Sequence, residues 1–135
     1  MAGYSLTPLQ KKLGMKSGYR VSFVHAPAGF ADQFFDVEVL AQLRRPLDVI
    51  VLFATSQREL MRRLPAARRA LVDDGGLWVA WPKKASGVTT DLDENLLRDL
   101  ILSDVLVDNK VCAIDEIWSG LRFVYRLTAR APNRD

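Results

Sequence analysis

The chain has 135 residues, about half of them apolar and 26% charged, which fits one globular domain with one core. No apolar run nears the roughly 20 residues that cross a bilayer. Met1-Ala2-Gly3-Tyr4-Ser5 has no basic stretch leading into an apolar one, so neither a membrane span nor a secretory signal is expected. One cysteine, Cys112, and one histidine, His25, exclude an internal disulfide and a Cys/His metal cluster, and a cytoplasmic setting is the default. Cys112 lies in the alternating segment KVCAI and reads as a buried, inert thiol. The net charge of +3 is uneven: residues 1–72 hold 11 Lys/Arg against 5 Asp/Glu, and residues 73–135 hold 8 against 11.

Thr7-Pro8-Leu9-Gln10 reads as a short helix start, with Thr7 as cap and Gly14 as stop. Residues 19–25, YRVSFVH, are β-rich and form the first predicted strand. Pro27 and Gly29 break it, and a helical turn is expected around residues 31–35. Residues 37–43, VEVLAQL, read as a second strand near an edge. Residues 48–54, DVIVLFA, are continuously apolar, which suits a central parallel strand covered on both faces.

Ser56 and Glu59 then make a capping box. Leu60, Leu64, Ala67 and Leu71 share one face of the helix that follows, with Arg58, Arg62, Arg63, Arg68 and Arg69 mostly away from it. Pro65 should kink or divide that helix. Asp73-Asp74-Gly75-Gly76 reads as a turn, and residues 77–81 as the next buried strand, with Trp78 and Trp81 in the core. Asp91, with Glu94 in the capping-box position, should start a third helix that runs to about Ser103. Residues 106–114 and 121–127 are two further strands, joined through DEIWSG with Gly120 as the permissive turn residue.

Alternating β and α elements predict an α/β, three-layer, Rossmann-like domain over residues 1–128, with a flexible tail over 129–135. Its twisted sheet is mostly parallel and closes in a C-terminal antiparallel hairpin. That closing pair is similar to the class I methyltransferase variant of the Rossmann fold, in a compact form lacking one β-α unit.

In such sheets ligands bind outside the carboxyl ends of the strands. This selects four loops: His25, Pro27 and Gly29; Thr55 and Ser56; Lys83, Lys84, Ser86 and Gly87; and Asp115, Glu116 and Trp118. Lys83 and Lys84 near a helix start could hold a phosphate or carboxylate, but Asp91, Asp93 and Glu94 already place negative charge there. Trp118 in a turn would cover a pocket or pack on a second copy, which leaves a homodimer open.

The methyltransferase resemblance implies S-adenosylmethionine, a glycine-rich first loop and an acid at the end of the second strand. The first loop here is HAPAGF, the second strand ends AQLRRP, and ATS stands where an Asp/Asn-Pro-Pro-Tyr motif would fall. No cofactor is therefore expected. No P-loop, nucleophile elbow or metal-ligand pair is present. The spacing permits Asp115 to pair with His25 or Lys83, but nothing in the sequence requires it. The arginine helix from Arg58 to Arg69 could contact nucleic acid, but reads better as a solvated face.

GYSLTPLQKKLGMKSGYRV, PLDVIVLFATSQREL, LWVAWPKKASGVTTDLDEN and KVCAIDEIWSGLRFV together resemble a bacterial family filed as domain of unknown function 3052, common in actinobacteria. The resemblance covers nearly the whole chain, and WPKKxSG with DxxWSGLRF is specific. It implies a small, single-domain, cytoplasmic bacterial protein and carries over no catalytic residue. The sequence therefore predicts a non-catalytic or degenerate Rossmann-like module binding a small anionic ligand or a protein partner at the rim. An enzyme of unrecognised mechanism at the same rim, and a nucleic-acid contact through the arginine helix, are the alternatives.

Overall fold

The computed structural model describes residues 8–103 and 105–130. One six-stranded sheet runs through it. Its strands are β1 (Arg20–Val24), β2 (Glu38–Val39), β3 (Leu47–Phe53), β4 (Leu71–Pro82), β5 (Leu106–Ala113) and β6 (Trp118–Tyr125), in the spatial order β2-β1-β3-β4-β6-β5. The first four pair in parallel, and β6 runs antiparallel to both β4 and β5. The direction of β5 is therefore that of the parallel strands, and its outgoing turn lies on the same edge as their C-terminal ends. This is the expected α/β fold with its closing hairpin.

The continuous apolar run of β3 has the predicted cause. Ile50, Leu52 and Ala54 belong to one core cluster, with Leu60, Leu64 and Ala67 of α2 (Gln57–Ala70) and Leu97 and Ile101 of α3 (Glu94–Ile101). Val49, Val51 and Phe53 belong to the other, with Leu13, Met15, Phe30 and Phe34. Alternate residues of a strand face opposite sides, so both faces are dry. The two coats are unequal. One face has two full helices. Among the described residues the other has only α1 (Leu9–Lys12), the loop after it, and a 3-10 turn at Phe30–Gln33. Trp78 ties this thinner coat down: it is fully buried, and its indole N–H donates to the Leu13 carbonyl at 3.0 Å.

Several local expectations are corrected. Asp73-Asp74-Gly75-Gly76 is not a turn but part of β4. Leu47 pairs with Leu71 and Val49 with Gly76, so four β4 residues stand opposite the single residue Asp48. The strand bulges rather than reverses. Glycine is required there by close approach: a Cβ on Gly75 would lie 2.8 Å from the Asp48 carbonyl oxygen and 2.8 Å from Leu71 Cδ1.

Pro65 does not divide α2, which is continuous through it. The proline removes one hydrogen bond on the exposed side, while Leu60, Leu64 and Ala67 hold both halves to the sheet. Asp91 does not cap α3. Asp93 does, accepting the Leu96 N–H at 2.8 Å, and the helix ends at Ile101 rather than near Ser103. The second strand is two residues long instead of seven.

Gly120 lies inside β6, opposite Ala80 and Cys112, not in a turn. Its missing side chain makes room for Ile114 Cδ1 and Trp78 Cε3, which a Cβ would meet at 2.9 and 3.0 Å. Thr7 and the tail from residue 131 lie outside the described residues. Residues Leu127–Ala129 form a 3-10 turn.

Gly75→Ala should lower stability by about 1–3 kcal/mol, because backbone of β3 must move. Gly76→Ala, whose Cβ would meet the flexible guanidinium of Arg122, should cost less. Urea unfolding of the two variants checks the order.

Candidate functional site

The four selected loops share one edge. The Lys83 N–H donates to the Ile117 carbonyl at 2.7 Å, joining the exit of β4 to the turn after β5. Thr90 Oγ1 donates to the Thr55 carbonyl at 2.6 Å, and Asp91 Oδ1 accepts the Gln57 N–H at 2.8 Å. The loop before α3 thus folds back onto the start of α2, and Asp91 serves that helix instead of its own. At the exit of β1, His25 Nδ1 lies 3.2 Å from Glu59 Oε2 on α2.

Most of the predicted polar groups are engaged in building this edge. Ser56 Oγ accepts the Glu59 N–H at 3.1 Å, and Glu59 Oε1 accepts the Thr55 N–H at 3.3 Å. Ser86 Oγ donates to the Lys83 carbonyl at 2.6 Å and accepts the Val88 N–H. Gly87 adopts a left-handed φ of 79° to end that short turn. Asp115 Oδ1 accepts the N–H groups of Ile117 and Trp118, both at 2.8 Å, so it shapes its own turn and does not pair with His25. Glu116 and Lys84 are exposed, and Lys83 is half-buried. Among the described residues neither lysine forms an ion pair.

Trp118 packs edge-on against Phe53, with ring centroids 5.0 Å apart. Phe53 meets Phe30 at 5.0 Å, and Phe30 meets Phe23 at 5.2 Å. An aromatic row thus runs beneath the edge from Trp118 to the exit of β1, each pair adding about 0.5–1.5 kcal/mol beyond its buried area. Trp118 nevertheless stays half-buried.

A cleft of about 390 Å³ opens between the exits of β1 and β2. His25, Pro27 and Gly29 line one side, and Val39, Leu40 and Ala41 the other, with Asp32 the carboxylate in its wall. Gly29 has the expected left-handed φ of 77°, but His25 at the strand exit is also left-handed, at 57°. Such backbone is uncommon for a residue with a side chain and concentrates at functional sites. Asp32 and Glu59 are not singled out as site residues by the sequence: Asp32 sits in the expected turn after β1 with no motif around it, and Glu59 reads as a capping residue. Lys83, Lys84 and Trp118 do not line this cleft. Among the described residues no group of three His, Cys, Asp or Glu side chains could hold a metal ion, and no helix is long and apolar enough to cross a membrane.

The chain is similar to solved structures of methyltransferase type. One is a Sulfolobus solfataricus protein described as a type 11 methyltransferase, with a TM-score of 0.57 and 15% identity over 94% of this chain and 93% of that one. Another is the fibrillarin pre-rRNA processing protein of Methanococcus jannaschii, with a TM-score of 0.57 and 11% identity over 90% and 70%. A chain of a fibrillarin/Nop5p complex gives a TM-score of 0.53 and 9% identity over 83% and 75%. At these identities the likeness shows the fold alone, and that fold is class I methyltransferase-like. No family model and no curated protein matches the sequence, so the resemblance to domain of unknown function 3052 rests on the motifs alone.

Ser56→Ala should cost about 1 kcal/mol through loss of the α2 cap, read as a lower melting temperature. Burial pushes the Cys112 thiol pKa up, against the pull of Lys110 and Lys12. The protonated thiol therefore favours the folded chain, and this contribution is full below the thiol's ordinary value and lost as pH rises past it. Alkylation by iodoacetamide near pH 7 should run slower in the folded protein than in urea.

Proposed function

We propose that the protein is a Rossmann-like binding module that takes a small nucleoside-like ligand in the cleft beside His25, without methyl transfer. The single observation that carries this is the cleft's position and lining. It lies outside the C-terminal ends of β1 and β2, where this class of sheet binds ligands, and combines apolar wall with one carboxylate and one imidazole. Asp32 supplies an acceptor for ribose hydroxyls, and the apolar side suits a base. The sequence predicts a small anionic ligand or a protein partner at a rim with His25, Lys83, Lys84 and Trp118. Of these only His25 lines the cleft, and Asp32 disfavours an anion there.

The resident group of the fold, S-adenosylmethionine, fits this lining only in part. The exit residue of β1 is His25, held by Glu59, in place of a glycine that lets backbone approach. The second strand ends at Val39, followed by Leu40, Ala41 and Gln42, with no acid. The residues suit the nucleoside portion and leave the amino-acid portion without a cradle, so no transfer step is derived.

A second reading keeps the site and adds chemistry. Its support is the His25–Glu59 contact, since a carboxylate on one imidazole nitrogen orients the other toward a substrate. Under that reading His25 is a general base and Glu59 a positioning residue.

Calorimetric titration separates these readings. Adenosine should bind saturably and raise the melting temperature. Asp32→Ala should weaken it roughly tenfold or more, the loss of one charged acceptor. No adenosine binding would remove the proposal. Methyl transfer from S-adenosylmethionine to RNA or protein would overturn its non-catalytic part. Turnover of any nucleoside that His25→Gln abolishes would favour the second reading.

A further inference from the structure

A second cleft, of about 400 Å³, lies at the opposite edge of the sheet, under the N-terminal ends of the parallel strands. Lys11, Lys12 and Lys16 line it from α1 and the loop after it, Lys110 from β5 and Arg122 from β6. Two carboxylates, Asp48 and Asp74, also line it, so cations exceed anions by three. One oxygen of Asp48 is engaged, accepting the Arg20 N–H at 2.9 Å. Five cations from separate parts of the sequence thus face one concavity.

Arg122 distinguishes this cleft from an ordinary solvated patch. Its guanidinium lies over Gly76, where a Cβ would come within 2.5 Å of Nε. Nε is buried and among the described residues has no hydrogen-bond partner, and Nη1 reaches Asn109 Oδ1 only at 3.5 Å. Among the described residues Arg122 forms no ion pair, and neither do Lys11, Lys12, Lys16 or Lys110. Burial lowers the Arg122 pKa, with repulsion from Arg130 adding to it and attraction from Tyr19 offsetting part of it. Nε is closed to any ligand, so an anion in the cleft would meet the guanidinium through its remaining nitrogens. The site is also braced: Lys110 Nζ donates to the Lys12 carbonyl at 2.9 Å, fastening the α1 loop to β5.

We propose that this cleft is a second ligand site, which binds an oligophosphate, with Arg122 at its floor and Lys11, Lys12, Lys16 and Lys110 around its mouth. A chain of linked phosphates carries several charges in a small volume, matching several cations around one concavity. A planar guanidinium presents paired donors to phosphate oxygens, and lysines add point charges. The phosphates could be free or the tail of a nucleotide; the chemistry at the cleft is the same.

Calorimetry with sodium tripolyphosphate tests this on the full chain. One saturable site is expected, weakening as salt rises. Lys11→Glu/Lys16→Glu, which changes two exposed side chains, should weaken it about tenfold or more with an unchanged melting temperature. Arg122→Lys, which keeps the charge but loses the fork, should weaken it several-fold. Adenosine triphosphate binding more tightly than tripolyphosphate would support the site and assign a nucleotide; equal binding would support it and assign the phosphate chain alone. No saturable binding, or equal binding by the Lys11→Glu/Lys16→Glu variant, would overturn the proposal. So would an RNA oligonucleotide that binds more tightly than tripolyphosphate through the same lysines, making this a nucleic-acid face. Asp32→Ala should leave tripolyphosphate binding untouched, so this site and the adenosine cleft stand or fall separately.

Discussion

Strand β4 carries the constraint on which the rest of the molecule depends. It is buried from Gly75 to Pro82, with a parallel strand on one flank and an antiparallel strand on the other. Two dry faces demand two apolar coats, and Trp78 and Trp81 enter opposite ones. The antiparallel flank sends β6 away from the C-terminal edge, so its first residue, Trp118, stands beside Pro82, and Arg122, further along, pairs with Trp78. One pairing thereby supplies a residue to the edge where this fold binds ligands and a cation to the cleft below. The glycines at 75, 76 and 120 follow from the same crowding, since each faces an atom that a Cβ would strike.

Much of this was legible in sequence. The apolar run of β3, the Ser56 cap and the closing hairpin each depend on local pattern, and each is present, although Glu59 reaches the Thr55 N–H instead of closing the box on Ser56. The errors share one cause, which is tertiary contact overriding local meaning. Asp-Asp-Gly-Gly is a turn signal in isolation, yet here the two glycines admit backbone from β3 and a side chain from β6. Asp91 has a cap's spacing to its own helix, yet it serves α2, whose first N–H lies closer than sequence can reveal. The candidate site was legible as an edge and not as a cleft. Strand ends could be predicted, whereas the approach of Asp32 to Leu40, or of Lys110 to Lys12, depends on the folded sheet.

The fold does not by itself carry its usual chemistry to this chain. Of the proteins similar to it in structure, one is described as a type 11 methyltransferase and another as a pre-rRNA processing protein, and the scaffold itself says little about activity. What differs is local. A histidine with left-handed backbone occupies the first strand's exit, and a carboxylate comes from the turn after it rather than from the second strand. Glu59 joins the two roles of this edge, since one of its oxygens meets the Thr55 N–H at the start of α2 and the other meets His25. Helix capping and the setting of the imidazole are therefore not independently adjustable.

The unequal coats of the sheet bear on how the molecule opens. Among the described residues, the face under α2 and α3 is held by two full helices, but the other relies on one helical turn, the loop after it, a 3-10 turn and the Trp78–Leu13 hydrogen bond. Segments with few packed neighbours are the first to exchange and to be cut. The region around Lys11, Lys12 and Lys16 is then both the thin coat's weak point and the wall of the basic cleft. Any anion seated against Arg122 and those lysines would also act as a latch, slowing amide exchange in the segment that covers Trp78.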